Sequence, residues 1–249
     1  MNLILLRPEE TGESDGLAIV RLAGRRLEHL TKVLKSEVGD SVRVGVLGGL
    51  MGRGEIVAIS RREAVLAVRL DSPPPPRLSL SLILALPRPI MLKRVLAQAA
   101  ALGVQHLFLI NARRVEKSFF AASPAREGDF SPYLENGLEQ AMDTVAPTVS
   151  VHPRFRPFVE DVLPGLAGRA RLLAHPAAEA RSLSELVPRP PLTGPILLAI
   201  GPEGGWQEHE VAALAQVGFV AFSLGPRILR VDTAVPALIA QLGLLLGRG

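Results

Sequence analysis

The 249 residues are 48% apolar, contain no cysteine and carry a formal net charge of +4. That length and apolar content suffice for one large domain or two smaller ones, and the lack of cysteine excludes disulfides, thiolate zinc sites and a thiol nucleophile, which fits a cytoplasmic chain. No apolar run approaches the roughly 20 residues that span a bilayer, and residues 1–7 lack the basic, apolar and cleavage regions of a signal peptide, so no membrane partner is expected.

Residues 1–72 read as short strands at 3–6, 17–22, 41–47, 52–59 and 64–70, a spacing that favours a small β-barrel. Between the second and third, residues 25–35 have helical periodicity, with Leu27, Leu30, Val33 and Leu34 on one face. Arg25, Arg26, His29, Lys32 and Lys35 occupy the rest, either as a phosphate-binding face or as a solvated one. Pro73 to Pro76 form a stiff polyproline spacer that cannot enter a sheet interior, so the chain divides into domains at 1–72 and 77–249.

The second domain opens with a strand at 78–86, a helix at 90–102 stopped by Gly103, and a strand at 106–110. This is a βαβ unit and predicts a parallel sheet covered by helices. Residues 73–127 hold eight Lys and Arg against two Asp and Glu, whereas residues 1–72 hold 11 against 10 and the remainder nine against 12. Such a concentration points to a polyanion, or serves solubility. Arg113, Arg114 and Lys117 lie beyond the strand at 106–110, and with Arg88, Lys93 and Arg94 they form a predicted basic rim. A helix at 133–142 and strands at 148–152 and 170–174 follow, the last ending at His175-Pro176-Ala177-Ala178. Residues 178–193 are polar and proline-rich, with one short helical piece at 183–186.

The apolar run at 195–200 empties into Gly201-Pro202-Glu203-Gly204-Gly205-Trp206. A helix at 207–217 stopped by Gly218 leads to a strand at 219–224 and a second loop from Gly225-Pro226-Arg227 to Thr233-Ala234. The last helix, 233–246, accommodates Pro236 if Thr233 is its cap. One glycine-rich loop alone reads as a structural turn. Successive strands that open into such loops describe a crevice, because ligands of open α/β sheets bind beyond the strand ends. Neither loop has a dinucleotide or triphosphate spacing. The five histidines are scattered without an i, i+4 pair, so no metal is expected, and no nucleophile elbow is present. What remains is main chain between apolar walls (Ile200, Leu224, Ile228, Leu229), suited to an adenine and a thioether.

These two loops, from Ile200 to Trp206 and from Leu224 to Ala234, resemble the paired signatures of the ribosomal RNA small subunit methyltransferase E family, in the SPOUT class of knotted methyltransferases. His29-Leu30-Thr31-Lys32-Val33-Leu34-Lys35 with Val38-Gly39-Asp40 is similar to that family's amino-terminal PUA-like barrel, and Ala101-Leu102-Gly103-Val104 to its mid-domain helix end. The resemblance implies S-adenosylmethionine-dependent methylation of uridine N3 in 16S ribosomal RNA by a homodimer whose carboxyl-terminal parallel-sheet domain holds a deep trefoil knot. It places the cofactor at His175, Pro176, Ile200, Gly201, Pro202, Gly204, Gly205, Leu224, Gly225, Ile228, Leu229, Thr233 and Ala234. RNA contacts fall to Arg25, Arg26, His29, Lys32, Lys93, Arg113 and Arg114. Arg227 is the candidate for stabilising the uridine anion, with Glu203 and Asp232 as candidate bases. The chain departs from the family where Ala101 replaces a usual Glu, where residues 139–144 place Asp143 in an otherwise basic run, and where Asp232 replaces Glu. Those departures keep two alternatives open, a shifted RNA target and a catalytically silent RNA-binding paralogue.

Overall fold

A computed structural model describes residues 1–11, 17–121, 128–176, 181–186 and 194–247. The chain forms two compact units, one of Met1–Pro76 with Leu134–Ala146 and the other of Arg77–Tyr133 with Pro147–Gly249.

The first unit is a mixed five-stranded sheet of β1 (Ile4–Leu6), β2 (Leu17–Leu22), β3 (Ser41–Val46), β4 (Met51–Ile59) and β5 (Ala64–Ser72), in the order β1-β3-β4-β5-β2. β1 pairs parallel with β3 and the other neighbours are antiparallel. β2 alternates exposed and buried residues, which puts Ala18, Val20 and Leu22 in a core with Leu6, Val44, Ile56 and Leu66.

The helix expected at 25–35 is α-helical only over Gly24–Glu28 and continues as a π-helix over His29–Leu34. Bonds from i to i+5 widen the turn, so a stripe spaced for 3.6 residues falls out of phase. Leu27 and Leu30 are buried, but Val33 is 66% and Leu34 48% exposed, which corrects the single apolar face read from sequence. Lys35 then ends the element in the left-handed region at φ 52°.

Residues 134–146 belong to this unit through specific bonds. The N–H groups of Asn2 and Leu3 donate to the Glu139 carbonyl at 2.9 and 3.0 Å, and the Gly48 N–H donates to the Thr144 carbonyl at 2.8 Å. Thr144 Oγ1 donates to the Gly49 carbonyl at 2.6 Å. Glu139, its side chain 3% exposed, accepts from Arg25 Nη2 on both oxygens at 2.7 and 2.9 Å.

The second unit is an all-parallel sheet of β6 (Leu80–Ala85), β7 (His106–Ile110), β8 (Thr148–His152), β9 (Ala170–Ala174), β10 (Arg181–Ser182), β11 (Ile196–Ile200) and β12 (Val220–Ser223). Its order is β10-β12-β9-β11-β6-β7-β8. β6 and β11 pair at the centre and every residue of both is buried, Ser81 of β6 included, as near-continuous apolar runs in a doubly covered parallel sheet lead one to expect. The helix Pro89–Ala101 buries Leu92, Val95, Leu96 and Ala99, and Gly103 at φ +72° turns the chain out of it.

The last helix spans Val231–Leu245 with Arg230 as its N-cap, so Thr233 lies inside the first turn and is not the cap. Pro236 is therefore a sixth-position proline. Its missing N–H leaves the Asp232 carbonyl without the usual i+4 donor, and the helix tolerates this because Val235, Leu238 and Ile239 are buried around it. Among the described residues no helix is long and apolar enough to cross a membrane.

At the β7–β8 edge the rings of His152 and Phe158 pack with centroids 4.7 Å apart, and Ser150 Oγ lies 2.9 Å from His152 Nε2. Burial lowers the His152 pKa from its usual value of 6.5. The unfolded chain therefore binds this proton more readily than the native one, so the contribution is present above pH 6.5 and is lost as pH falls below it. We expect a thermal midpoint that drops between about pH 7 and pH 5.5, with part of the dependence removed in His152→Phe. An identical profile in that variant would assign the pH dependence elsewhere.

Candidate active site

β12, β9 and β11 are neighbours, and their carboxyl ends open into the loops after Ala174, Ile200 and Ser223. Those loops enclose a cavity of about 220 Å³. His175 and Pro176 enter it from β9, while Ile200, Gly201, Pro202, Gly204 and Gly205 enter from β11. Leu224, Gly225, Ile228 and Leu229 enter from β12, and Ala234 from the final helix. Thr233 is not in the lining and is exposed on the first turn of that helix. Ala177 and Ala178, the end of the expected β9 exit, lie outside the described residues.

The loop after β11 is shaped by Trp206, the last residue of the first motif, to which the sequence alone assigns no role. Its indole is 4% exposed and lies over Gly201, where a Cβ would stand 2.9 Å from Nε1 and 3.0 Å from Cε2. Gly205 holds φ +76° and donates its N–H to the Pro202 carbonyl at 2.8 Å, a turn that L side chains resist. The Arg114 guanidinium donates to the Gly204 carbonyl. Glu210, 1% exposed, accepts the Gln207 N–H at 2.9 Å to complete a capping box, and the Arg113 N–H at 2.8 Å. A glutamate three residues after Gln207 carried the capping signal; the second bond, to a residue 97 positions away, had no local signature.

Two lining residues hold buried ring nitrogens, His175 Nδ1 and Trp206 Nε1, that have no hydrogen-bond partner among the described residues. A buried donor or acceptor left unmade costs about 1–3 kcal/mol, which a ligand can offset. Unpartnered nitrogens, open main chain and apolar walls fit an adenosyl thioether.

The polar candidates separate by environment. Arg227 and Glu203 are exposed, line the cavity and make no ion pair among the described residues. Asp232 is outside the lining, 3.3 Å from Arg94 Nη1 and 3.6 Å from Arg230 Nε, in the first turn of a helix where a carboxylate is stabilised by the N-terminal dipole.

The RNA candidates also divide. Arg26 Nη1 and Nη2 grip Glu10 at 2.9 and 2.6 Å, and Nη1 reaches the Leu5 carbonyl at 3.0 Å. This contact holds the Glu10 carboxyl below its usual range. Arg25 is bound to Glu139, Lys32 lies 3.2 Å from Glu28, and His29 Nε2 is buried without a partner among the described residues. In the second unit Lys93 sits 5.3 Å from the centre of the Tyr133 ring, and Arg114 is committed to Gly204. Arg113 is exposed, and its side chain makes no ion pair among the described residues.

A parallel α/β sheet with a glycine-lined cavity at its carboxyl edge defines a ligand-binding domain of the open-sheet class. Residues 74–243 match the RNA methyltransferase domain family, and the chain belongs to it. It is 29% identical over 245 residues to a ribosomal RNA small subunit methyltransferase E of Treponema pallidum, covering 96% of this chain and 90% of the relative. A Synechocystis protein of the same name is 27% identical over 245 residues, covering 98% and 77%. The crystal structure of a ribosomal RNA small subunit methyltransferase E from Neisseria gonorrhoeae bound to S-adenosyl methionine shares the fold, with a TM-score of 0.76, 21% identity and 98% of each chain covered.

Trp206 is the only tryptophan, so its seat on Gly201 is open to direct measurement. Gly201→Ala forces the indole out and costs about 1–3 kcal/mol of stability, with a red shift in the emission of Trp206. Unchanged emission would place the indole away from the loop.

Proposed function

We propose that this chain transfers the methyl group of S-adenosylmethionine to N3 of a uridine in 16S ribosomal RNA, acting in the cytoplasm as a homodimer. The observation that carries the reading is the cavity formed by three adjacent strand exits, with two unpartnered buried nitrogens, in a member of the RNA methyltransferase family. The full-length relatives named for the small-subunit RNA support the substrate.

The finer architecture belongs to the same proposal. Residues 1–72 form a PUA-like barrel, for which the support is the mixed five-stranded sheet around one buried core. The methyltransferase domain expected at 77–249, less the segment 134–146 that packs with the first unit, is tied in a deep trefoil knot. Support for the knot comes from strand order, because β11 inserts between β6 and β9, and β12 between β9 and β10, each after both of its neighbours.

When bound, the cofactor supplies an electrophilic methyl group on sulfur. His175 and Trp206 hydrogen-bond its polar groups, and Gly201, Pro202, Gly204, Gly205 and Gly225 present main chain to it. Uridine N3 carries a proton and attacks only after losing it, so charge stabilisation and positioning dominate. Arg227 stabilises the anion that forms as the proton leaves. Glu203, exposed at the cavity, receives the proton; Asp232, held between Arg94 and Arg230, orients the first turn of the final helix.

Two experiments test this reading. Calorimetry is expected to detect S-adenosylmethionine binding without added metal, and Gly204→Val to abolish it while the protein stays folded. The fold is expected to survive because the atoms nearest to a Cβ there belong to the Arg114 side chain, the closest at 3.0 Å, and that exposed, flexible chain can give way. Unchanged affinity in that variant would refute the site.

In single-turnover transfer to small-subunit RNA, Arg227→Ala is expected to lower the rate about 100-fold or more with cofactor affinity little changed, as for loss of one preorganised donor. Arg227→Lys recovers only part, since an ammonium lacks the planar fork. A near-wild-type rate in Arg227→Ala would assign the arginine a structural role.

A further inference from the structure

A second cavity of about 640 Å³ opens beyond the carboxyl ends of β7 and β8, and no residue lines both cavities. One wall is the loop of residues 111–117 after β7. Another is the turn Phe155–Pro157 with the π-turn Phe158–Val162, and the third is the helix Glu208–Gln216. Val115 and Val159 are buried in its floor, and the half-buried Phe155 stands at its edge, 6.3 Å ring to ring from Trp206. Trp206 and Arg114, which binds the Gly204 carbonyl, therefore belong to the wall between this cavity and the cofactor loop.

The charges around it do not cancel at the mouth. Both oxygens of Glu210 are spent on the Arg113 and Gln207 N–H groups, and Glu160 is paired with Arg156 Nε at 2.6 Å. His209 adds an exposed imidazole. Arg113 and Lys117 are exposed and have no ion-pair partner among the described residues. Buried Glu210 also fixes the main chain of Arg113, and so the point from which the guanidinium reaches the cavity.

An aromatic edge over an apolar floor, with two cations at the rim that have no ion-pair partner among the described residues, has the chemistry that receives a flat base carrying a phosphate. We propose that this cavity binds one nucleotide of the RNA strand flanking the methylated base. The base stacks on Phe155 between Val115 and Val159, and the phosphate meets Arg113 and Lys117. The proposal rests on the RNA methyltransferase reading and adds to it a second subsite on the far side of Trp206.

The test is fluorescence anisotropy of the full chain with a labelled single-stranded fragment of small-subunit ribosomal RNA, without S-adenosylmethionine. Phe155→Ala is expected to weaken RNA binding about 10-fold, the order found when one stacking partner is lost. Ala213→Phe, which fills the cavity from the helix wall, should do the same. Arg113→Ala should flatten the salt dependence by about one unit. Calorimetric affinity for S-adenosylmethionine should be unchanged in Phe155→Ala, and thermal melting establishes that each variant is folded.

RNA affinity unaltered in both Phe155→Ala and Ala213→Phe would overturn the subsite and leave the methyltransferase reading standing. Displacement of the RNA by uridine monophosphate at equal affinity would also overturn it, in favour of a free-nucleotide site. A wild-type chain that binds RNA through Phe155 yet transfers no methyl group would support the subsite and sink the activity.

Discussion

One contact sets the geometry of the cavity: the Trp206 indole against Gly201, close enough that no β-carbon fits between them. β11 delivers Gly201 from the buried centre of the sheet, and the indole turns the chain back over it. The turn from Pro202 to Gly205 closes by its own hydrogen bond, Arg114 holds the Gly204 carbonyl, and the capping box starts the next helix. A loop pinned at these points keeps its main chain open toward the cavity while losing little freedom when a ligand arrives, which is the physical content of preorganisation. The same indole leaves its own N–H buried without a partner among the described residues, so the constraint that shapes the loop also creates a demand that a ligand meets.

The parts of this fold that sequence made legible are those governed by local rules. β7, β8, β9 and the short helix Leu183–Leu186 have the bounds that short β-rich or helical runs between turn signals predict. Where a non-local contact competes with the local signal, the reading failed. The π-turn at His29–Leu34 moves Val33 and Leu34 out of the apolar face, and nothing in their periodicity announces it. The last helix starts two residues before the expected Thr233, since burial of Val231 and Val235 outweighs the preference for a threonine cap and for a proline near the start. The crevice residues were legible as glycine loops at strand ends. The side chains that hold those loops, Arg114 and Glu210, were not, because each acts on a partner about 90 residues or more away.

Charge is where composition misleads most. The excess of Lys and Arg in residues 73–127 reads as one basic surface, yet the guanidiniums and ammoniums divide into committed and available groups. Arg94 reaches Asp232, Arg114 holds a loop carbonyl and Lys93 lies near Tyr133, so each does structural work before any polyanion arrives. Arg113 and Lys117 are in surplus. In the first unit Arg26 is tied to Glu10 through both terminal nitrogens, and recruiting it to a phosphate means breaking a bidentate pair. A counterion-release slope for this protein therefore counts the free cations, which are fewer than the sequence total.

The same distinction accounts for the stretch at 139–144, where the resemblance leads one to expect a basic run. Asp143 is buried, and its Oδ1 accepts the N–H groups of Thr144 and Val145 at 2.6 and 3.0 Å, fixing the turn that follows Met142 in the left-handed region. A basic residue has no acceptor to offer those N–H groups. Thr144 and Glu139 bond to main chain and to Arg25 within the same unit. The departure is therefore a local exchange in which a carboxylate satisfies buried donors. Loss of a catalytic group is not needed to explain it, and the cavity loops, whose glycines serve a close approach that stability alone does not require, carry no corresponding change apart from Asp232. Asp232 places a carboxylate at the helix N-terminus and pairs with Arg94 and Arg230, so it carries the same charge as the Glu that the resemblance implies there. Of the two alternatives those departures kept open, the silent paralogue has no observation in its favour.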